Sequence, residues 1–302
     1  MACKIIVNRD SGNCGRLDIN RLMCMLGCTD AQIENITSGT EWSAEGYDTV
    51  IVCGGDGTLN RFVNETEGIS IQNALYYYAI GSGNDFARDL GKEQGGEPSY
   101  QINRYLKDLP TVTVNGQRRR FLNGIGYGID GYCCEEGDKL REKSEKENSN
   151  KPINYTAIAI KGLLFHYKPT NAIVTVDGKK YTYKKVWLAP TMNGRYYGGG
   201  MMPTPDQDRL GAQKKVTVMV MHGSGKLKTL MIFPSIFKGE HIKHTKTVEL
   251  LSGNDIKVEF DRPTPLQIDG ETVLNVREYT VKSALPSAEG QKEDAAQPSL
   301  AE

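Results

Sequence analysis

The chain has 302 residues, with 37 lysines and arginines against 37 aspartates and glutamates, so its overall field steers it toward no nucleic acid and no anionic surface. That length accommodates about two domains, each with its own core. No apolar run reaches the roughly 18 residues of a membrane span, and residues 1–7 are too short and too polar-flanked for a signal peptide, which predicts a soluble cytoplasmic protein.

Residues 3–7 predict a short apolar strand, and the polar turn after it, Asn8 through Ser11 and Gly12 to Gly15, is able to hold phosphate oxygens. Apolar residues at helical spacing over 17–26 predict a helix stopped by Gly27, and a short strand and loop containing Thr37 follow. The run Val50–Cys53 then meets Gly54, Gly55 and Gly57 around Asp56, and Thr58, Leu59, Asn60, Phe62 and Val63 open a helix. Open α/β sheets bind ligands at such strand ends, where glycine lets an anion approach the backbone amides. A carboxylate there repels phosphate unless a cation lies between them or it takes a proton, so Asp56 points to phosphoryl transfer; a plain tight turn is the competing reading.

The strand 75–80 stops at Gly81-Ser82-Gly83-Asn84-Asp85-Phe86-Ala87-Arg88 and repeats that architecture. Asp85 there suits a metal and Arg88 a phosphate, or the two pair as a cap at a helix start; the parallel placement of two glycine-bearing strand ends favours the first. Residues 100–106 read as a helix ended by Pro110. Strands 111–114 and 117–122 around Asn115-Gly116 form a hairpin that starts a second domain. The expected organisation is an α/β domain over 1–110, a β-sandwich over 111–282 and a disordered tail over 283–302.

In the second domain, Arg118, Arg119 and Arg120 read as an exposed hairpin face, Asp130 as a candidate cation ligand, and residues 135–151 as an exposed loop or solvated helix. A helix opening at Pro152 packs into the core or lines a cleft for an acyl chain. Alternating strands from Ala172 to Val276 make the sandwich, interrupted by a flexible apolar loop at 198–203 and a carboxylate-bearing turn at 205–210. Gly223-Ser224-Gly225-Lys226 lacks the first glycine of a phosphate loop and has Leu227 where a hydroxyl must reach magnesium. His241 and His244 read as solvent-exposed, Asp269 and Glu271 flank a tight turn at Gly270, and seven cysteines, an odd number, read as free thiols.

Four blocks in order, Gly54–Asn60, Gly81–Arg88, Phe121–Asn123 with Gly128–Asp130, and Ile268–Glu271, resemble the diacylglycerol kinase catalytic-domain family, its bacterial soluble lipid kinases above all, from about Lys4 to Val281. The resemblance implies an ATP-dependent lipid kinase with an N-terminal α/β nucleotide-binding domain, a C-terminal β-sandwich and the active site in the interdomain cleft. It implies an ATP-binding set of Asn8, Ser11, Gly12, Thr37, Gly54, Gly55, Gly57, Thr58, Asn60, Ser82, Asn84 and Asp85. Glu271 is then the proton acceptor, Asp269 orients it or binds a cation, and Asp56 lies near the phosphates and Mg2+. A structural magnesium is implied near Pro205, Asp208 and Leu210. Arg9, Ser82 and Arg209 depart from the family pattern, which usually has proline, often threonine, and glycine there. The implied partners are ATP and a lipid alcohol, with no nucleic acid; peripheral contact with the inner membrane face and a homodimer stay open. The rival readings are a nicotinamide-dinucleotide kinase and a catalytically silent nucleotide- or lipid-binding regulator. The Asn-Asp-Phe-Ala-Arg block favours lipid over dinucleotide, and the presence of Asp56, Asp269 and Glu271 speaks against a silent protein.

Overall fold

The structure is a computed structural model that describes residues 1–8, 17–36, 43–69, 71–81, 83–91, 99–147 and 153–284. It divides into two compact units, residues 1–107 with 198–200, and residues 108–197 with 201–302. The division falls close to the expected boundary at residue 110 but assigns the 198–200 glycine loop to the first unit. No helix among the described residues is long and apolar enough to cross a membrane.

The first unit runs β1 (Ala2–Val7), α1 (Ile19–Leu26), β2 (Asp30–Asn35), β3 (Thr49–Gly54), α2 (Asp56–Glu65), β4 (Ala74–Ala79), α3 (Asp85–Asp89), β5 (Ser99–Gln101) and α4 (Asn103–Leu106). The sheet order is β2-β1-β3-β4-β5. The first four strands are parallel, and β5 is antiparallel to β4. β3 is buried throughout, which is why Val50–Cys53 reads as an unbroken apolar run, and β1 is nearly so, its Lys4 paired with Glu34 at 2.6 Å. The helix expected over 100–106 instead begins as a strand. Tyr100 pairs with Tyr77, and Asn103 accepts from the Leu75 amide at 2.9 Å and donates to the Asn73 carbonyl at 2.8 Å, so side-chain bonds fasten the segment to β4.

The expectation of free thiols fails for one pair, because Cys3 and Cys28 form a disulfide with Cα atoms 6.0 Å apart. Gly27, at φ 66°, ends α1 in the left-handed conformation and turns the chain back, and the Thr29 amide then donates to the Met1 carbonyl. That reversal sets Cys28 beside β1. Among the described residues, Cys24, Cys53, Cys133 and Cys134 form no disulfide.

The second unit runs β6 (Thr111–Val114), β7 (Gln117–Arg120), β8 (Gly124–Tyr127), α5 (Ile129–Lys146), α6 (Tyr155–Lys161), β9 (Thr170–Val176), β10 (Lys179–Val186), β11 (Thr191–Met192), β12 (Val216–Met221), α7 (Lys226–Ile232), β13 (Val248–Gly253), β14 (Asp255–Ile268) and β15 (Glu271–Lys282). Asn115-Gly116, Asp177-Gly178 and Asp269-Gly270 all have positive φ at both positions, the backbone that two-residue hairpins require. β14 changes partner along its length: residues 256–260 pair with β9 and residues 266–268 with β8. The two layers of the sandwich thereby share one strand, and their core includes Tyr127 stacked on Phe260 at 3.8 Å.

One expectation fails in this unit, that of an exposed His241, and two segments gain definition. The glycine-dense segment 124–127 is a fully buried strand, because Gly124, Gly126 and Gly131 sit where any side chain would meet Met192, Asp130 or the Pro265 backbone. The charged segment from 135 belongs to the 18-residue helix α5, anchored by buried Ile129, Asp130, Cys133 and Gly137. His241 is fully buried, its Nε2 2.8 Å from the Pro203 carbonyl oxygen, and burial lowers its pKa. Pro152 and residues 285–302 lie outside the described residues.

Candidate functional site

In the first unit β3 ends at Gly54, and α2 begins two residues later with Gly55 as its N-cap. Neither glycine can be replaced freely. A Cβ on Gly54 would stand 2.4 Å from the Thr58 side chain, and one on Gly81 would stand 2.4 Å from the Gly55 Cα. The two strand-end turns thus pack backbone against backbone, and the Ile80 amide donates to the Gly54 carbonyl at 3.0 Å. Gly81→Ala is expected to force the turns apart and cost about 1–3 kcal/mol in urea unfolding, since backbone cannot yield as a flexible side chain does. Gly57→Ala, where nothing lies within 4 Å, should lower stability not at all; equal losses in both variants would refute the close-packing account.

Asp56, the first residue of α2, joins the two turns. Its Oδ2 accepts from the Asp85 amide and its Oδ1 from the Phe86 amide, both at 2.9 Å, so it caps α3 from another helix. Asn84, left-handed at φ 52°, donates to the Gly81 carbonyl at 2.9 Å. Asp85 Oδ2 accepts from the Gly199 amide at 2.7 Å, and Arg88 Nη1 stands 3.8 Å from its Oδ1. Burial first, and then the Asp56 carboxylate, push the Asp85 carboxyl up to about 6; the Gly199 amide and Arg88 oppose this.

Two buried acceptors at this point, Asn84 Oδ1 and Asp85 Oδ1, have no hydrogen-bond partner. Hard oxygen donors left unsatisfied beside a second carboxylate fit magnesium, which takes one or two carboxylates together with substrate phosphates. Thr58 and Asn60 are buried on α2, Gly57 is exposed in its first turn, and Asn8 is half-buried directly after β1. Ser11, Gly12, Thr37 and Ser82 lie outside the described residues. The 198–200 glycines were read from sequence as a flexible loop, and their contact with Asp85 was missed. The available signal was three consecutive glycines, which here take φ of 61°, 79° and 109° and admit the Arg88 guanidinium against Gly200.

In the second unit Glu271 opens β15, its side chain 54% exposed and its Oε2 2.6 Å from Arg119 Nη1. Asp269 accepts from the amides of Leu122 at 2.6 Å, Asn123 at 2.8 Å and Gly124 at 3.0 Å. Those bonds tie the β7–β8 connection to the turn that carries Glu271. Asp269 therefore positions that turn through backbone.

The turn holding Pro205, Asp208 and Leu210 carries two exposed carboxylates, Asp206 and Asp208, and Asp208 Oδ1 accepts the Leu210 amide at 2.9 Å. Arg209 is buried, is not among the residues with positive φ, and donates to the Leu122 carbonyl at 3.2 Å and to Asn123 Oδ1 at 3.1 Å. The guanidinium thus fastens this turn to the β7–β8 connection.

Glycine turns and adjoining carboxylates at the ends of parallel strands, on a chain whose second unit is a β-sandwich, define a two-domain α/β protein. The sequence matches the diacylglycerol kinase catalytic domain over residues 4–114 and the YegS C-terminal NAD kinase beta sandwich-like domain over residues 125–288. The chain belongs to the second of these families, whose match spans more than half of it, while its residues 4–114 match the diacylglycerol kinase catalytic domain. It is 26% identical over 206 residues to a diacylglycerol kinase of Mycobacterium tuberculosis, a match covering 66% of this chain and 63%, less than two thirds, of that relative. A diacylglycerol kinase of Bacillus subtilis is 25% identical over 231 residues, covering 74% of this chain and 71% of the relative. A crystal structure of a diacylglycerol kinase from Bacillus anthracis shares the fold with a TM-score of 0.57, at 18% identity over 94% of each chain.

Proposed function

We propose that the protein is an ATP-dependent kinase that transfers the γ-phosphate to the hydroxyl of a lipid alcohol such as diacylglycerol. The observation that carries this reading is the Asp56 carboxylate bridging two glycine turns packed Cα to Cα, beside a second carboxylate with an unsatisfied oxygen. First-turn amides of α2, capped by a glycine with no side chain of its own, bind phosphate oxygens, and the helix dipole favours the negative charge. Asp56 and Asp85 would hold magnesium, which supplies charge neutralisation on the phosphates when bound. Asn8, Ser11, Gly12, Thr37, Thr58, Asn60, Ser82 and Asn84 complete the nucleotide-binding set.

An alcohol is protonated at neutral pH, so a carboxylate must take its proton as the hydroxyl oxygen bonds to the γ-phosphorus and the bond to the β-phosphate oxygen breaks. Glu271 is that acceptor, with Asp269 and Arg119 fixing its place. The test is radiolabelled ATP incubated with the purified chain and a panel of lipid alcohols, with chromatography of the products. A labelled lipid is expected; label appearing only on a nicotinamide dinucleotide added in a parallel arm would replace this reading with that kinase class.

A further inference from the structure

In the second unit, the exposed large apolar side chains concentrate in two segments that meet. α6 continues into a π-helical turn at Gly162–His166, and α7 continues into a 3-10 turn at Phe233–Lys238. Lys226 Nζ donates to the Leu164 carbonyl at 2.9 Å and joins them. One side of both segments is buried in a shared core through Ala159, Leu163, Ile232, Phe233 and Ile236. The other side leaves Phe165 72%, Leu227 73% and Met231 74% exposed, the most exposed large apolar side chains among the described residues. Ile160 and Phe237 extend the same outer side, at 41% each.

The charge on this surface is one-sided. Residues 155–168 and 226–239 hold five lysines, Lys161, Lys168, Lys226, Lys228 and Lys238, all exposed, and no aspartate or glutamate before Glu240 at the far edge, in a chain whose charges balance overall. Apolar side chains standing out between lysines match a bilayer interface, where the apolar groups enter the acyl boundary and the ammonium groups reach anionic headgroups. A second copy of this chain fits less well, because a symmetric contact would set lysines against lysines with no carboxylate inside either segment to pair them.

We infer that the α6–α7 surface, centred on Phe165, Leu227 and Met231, docks the protein on an anionic lipid bilayer. The inference builds on the lipid-kinase reading, since a chain that acts on a membrane-borne alcohol must reach the surface that holds it. Docking is nevertheless read without catalysis. The full chain is sedimented with vesicles of phosphatidylglycerol and phosphatidylcholine, and with vesicles of phosphatidylcholine alone, in the absence of ATP.

Binding to the anionic vesicles is expected, falling at least about tenfold in a Phe165→Ser, Leu227→Ser, Met231→Ser variant and in a Lys226→Glu, Lys228→Glu variant. All five positions are exposed, so both variants should keep the far-ultraviolet spectrum and melting point of the parent. They should also keep their phosphorylation of a short-chain alcohol dispersed in water. Absence of binding by the parent, equal binding to neutral vesicles, undiminished binding by either variant, or a concentration-dependent dimer abolished by the triple substitution would each overturn the docking assignment. Vesicle binding with no lipid phosphorylation would overturn the kinase reading and leave docking standing.

Discussion

Replacing Glu271 by glutamine is expected to lower lipid phosphorylation by about 10^2- to 10^4-fold, the usual cost of removing a general base, with little change in stability. Glutamine keeps the shape and an oxygen for Arg119 but accepts no proton. The ion pair it weakens is half exposed, and such pairs contribute at most about 1 kcal/mol. Asp56→Ala should also abolish turnover, for a different reason and with a different signature. The Asp85 and Phe86 amides both lose their acceptor, so about 1–2 kcal/mol of stability is lost with the activity. Asp56→Asn separates the two effects, since one carboxamide oxygen still caps α3 while the charge is gone. Turnover with saturating ATP and a dispersed lipid, read beside urea unfolding, checks the set. Near-normal activity in Glu271→Gln would remove it from the reaction.

The contrast between these residues also shows what the amino-acid order makes legible. The end of β3 could be read because its signals are local: an apolar run, three glycines and an amphipathic helix start lie within 15 residues of one another. The hairpins at Asn115-Gly116 and Asp269-Gly270 were legible for the same reason, because Asn-Gly and Asp-Gly impose their own backbone. The partners of Asp56 were not legible, being amides 29 and 30 residues away that the pairing of β3 with β4 brings close. The same holds for Cys3 and Cys28, joined by a reversal at Gly27, and for His241, whose polar spacing hid a fully buried ring. Asp269 had been read by its charge, as a helper of Glu271 or a cation ligand. Its three amide partners lie about 145 positions earlier in the chain, and only the β8–β14 register brings them to it.

Stability should fall as pH rises from about 4 to about 7, and Asp130→Asn should remove much of that slope. Asp130 lies in the first turn of α5, its Oδ2 accepting from the Tyr197 hydroxyl at 3.0 Å and its Oδ1 from the Gly131 amide at 3.0 Å. Gly126 makes the room, since a Cβ there would stand 1.8 Å from Asp130 Oδ2. Burial pushes the carboxyl from its usual 3.8 up to about 7, against the opposing effect of its hydrogen bonds. Across that window the folded protein holds a proton the unfolded chain has already released, so each step up in pH favours unfolding; below 3.8 both states are protonated and the penalty vanishes. Asparagine stays neutral throughout, keeps an oxygen for the Gly131 amide and presents its amide to Tyr197. The variant should therefore gain on the parent by roughly 2–4 kcal/mol between pH 4.5 and pH 8, an order-of-magnitude figure from 1.36 kcal/mol per pKa unit. The measurement is urea unfolding of both proteins at the two pH values. Parallel profiles would mean that the Asp130 carboxyl loses its proton as readily folded as unfolded.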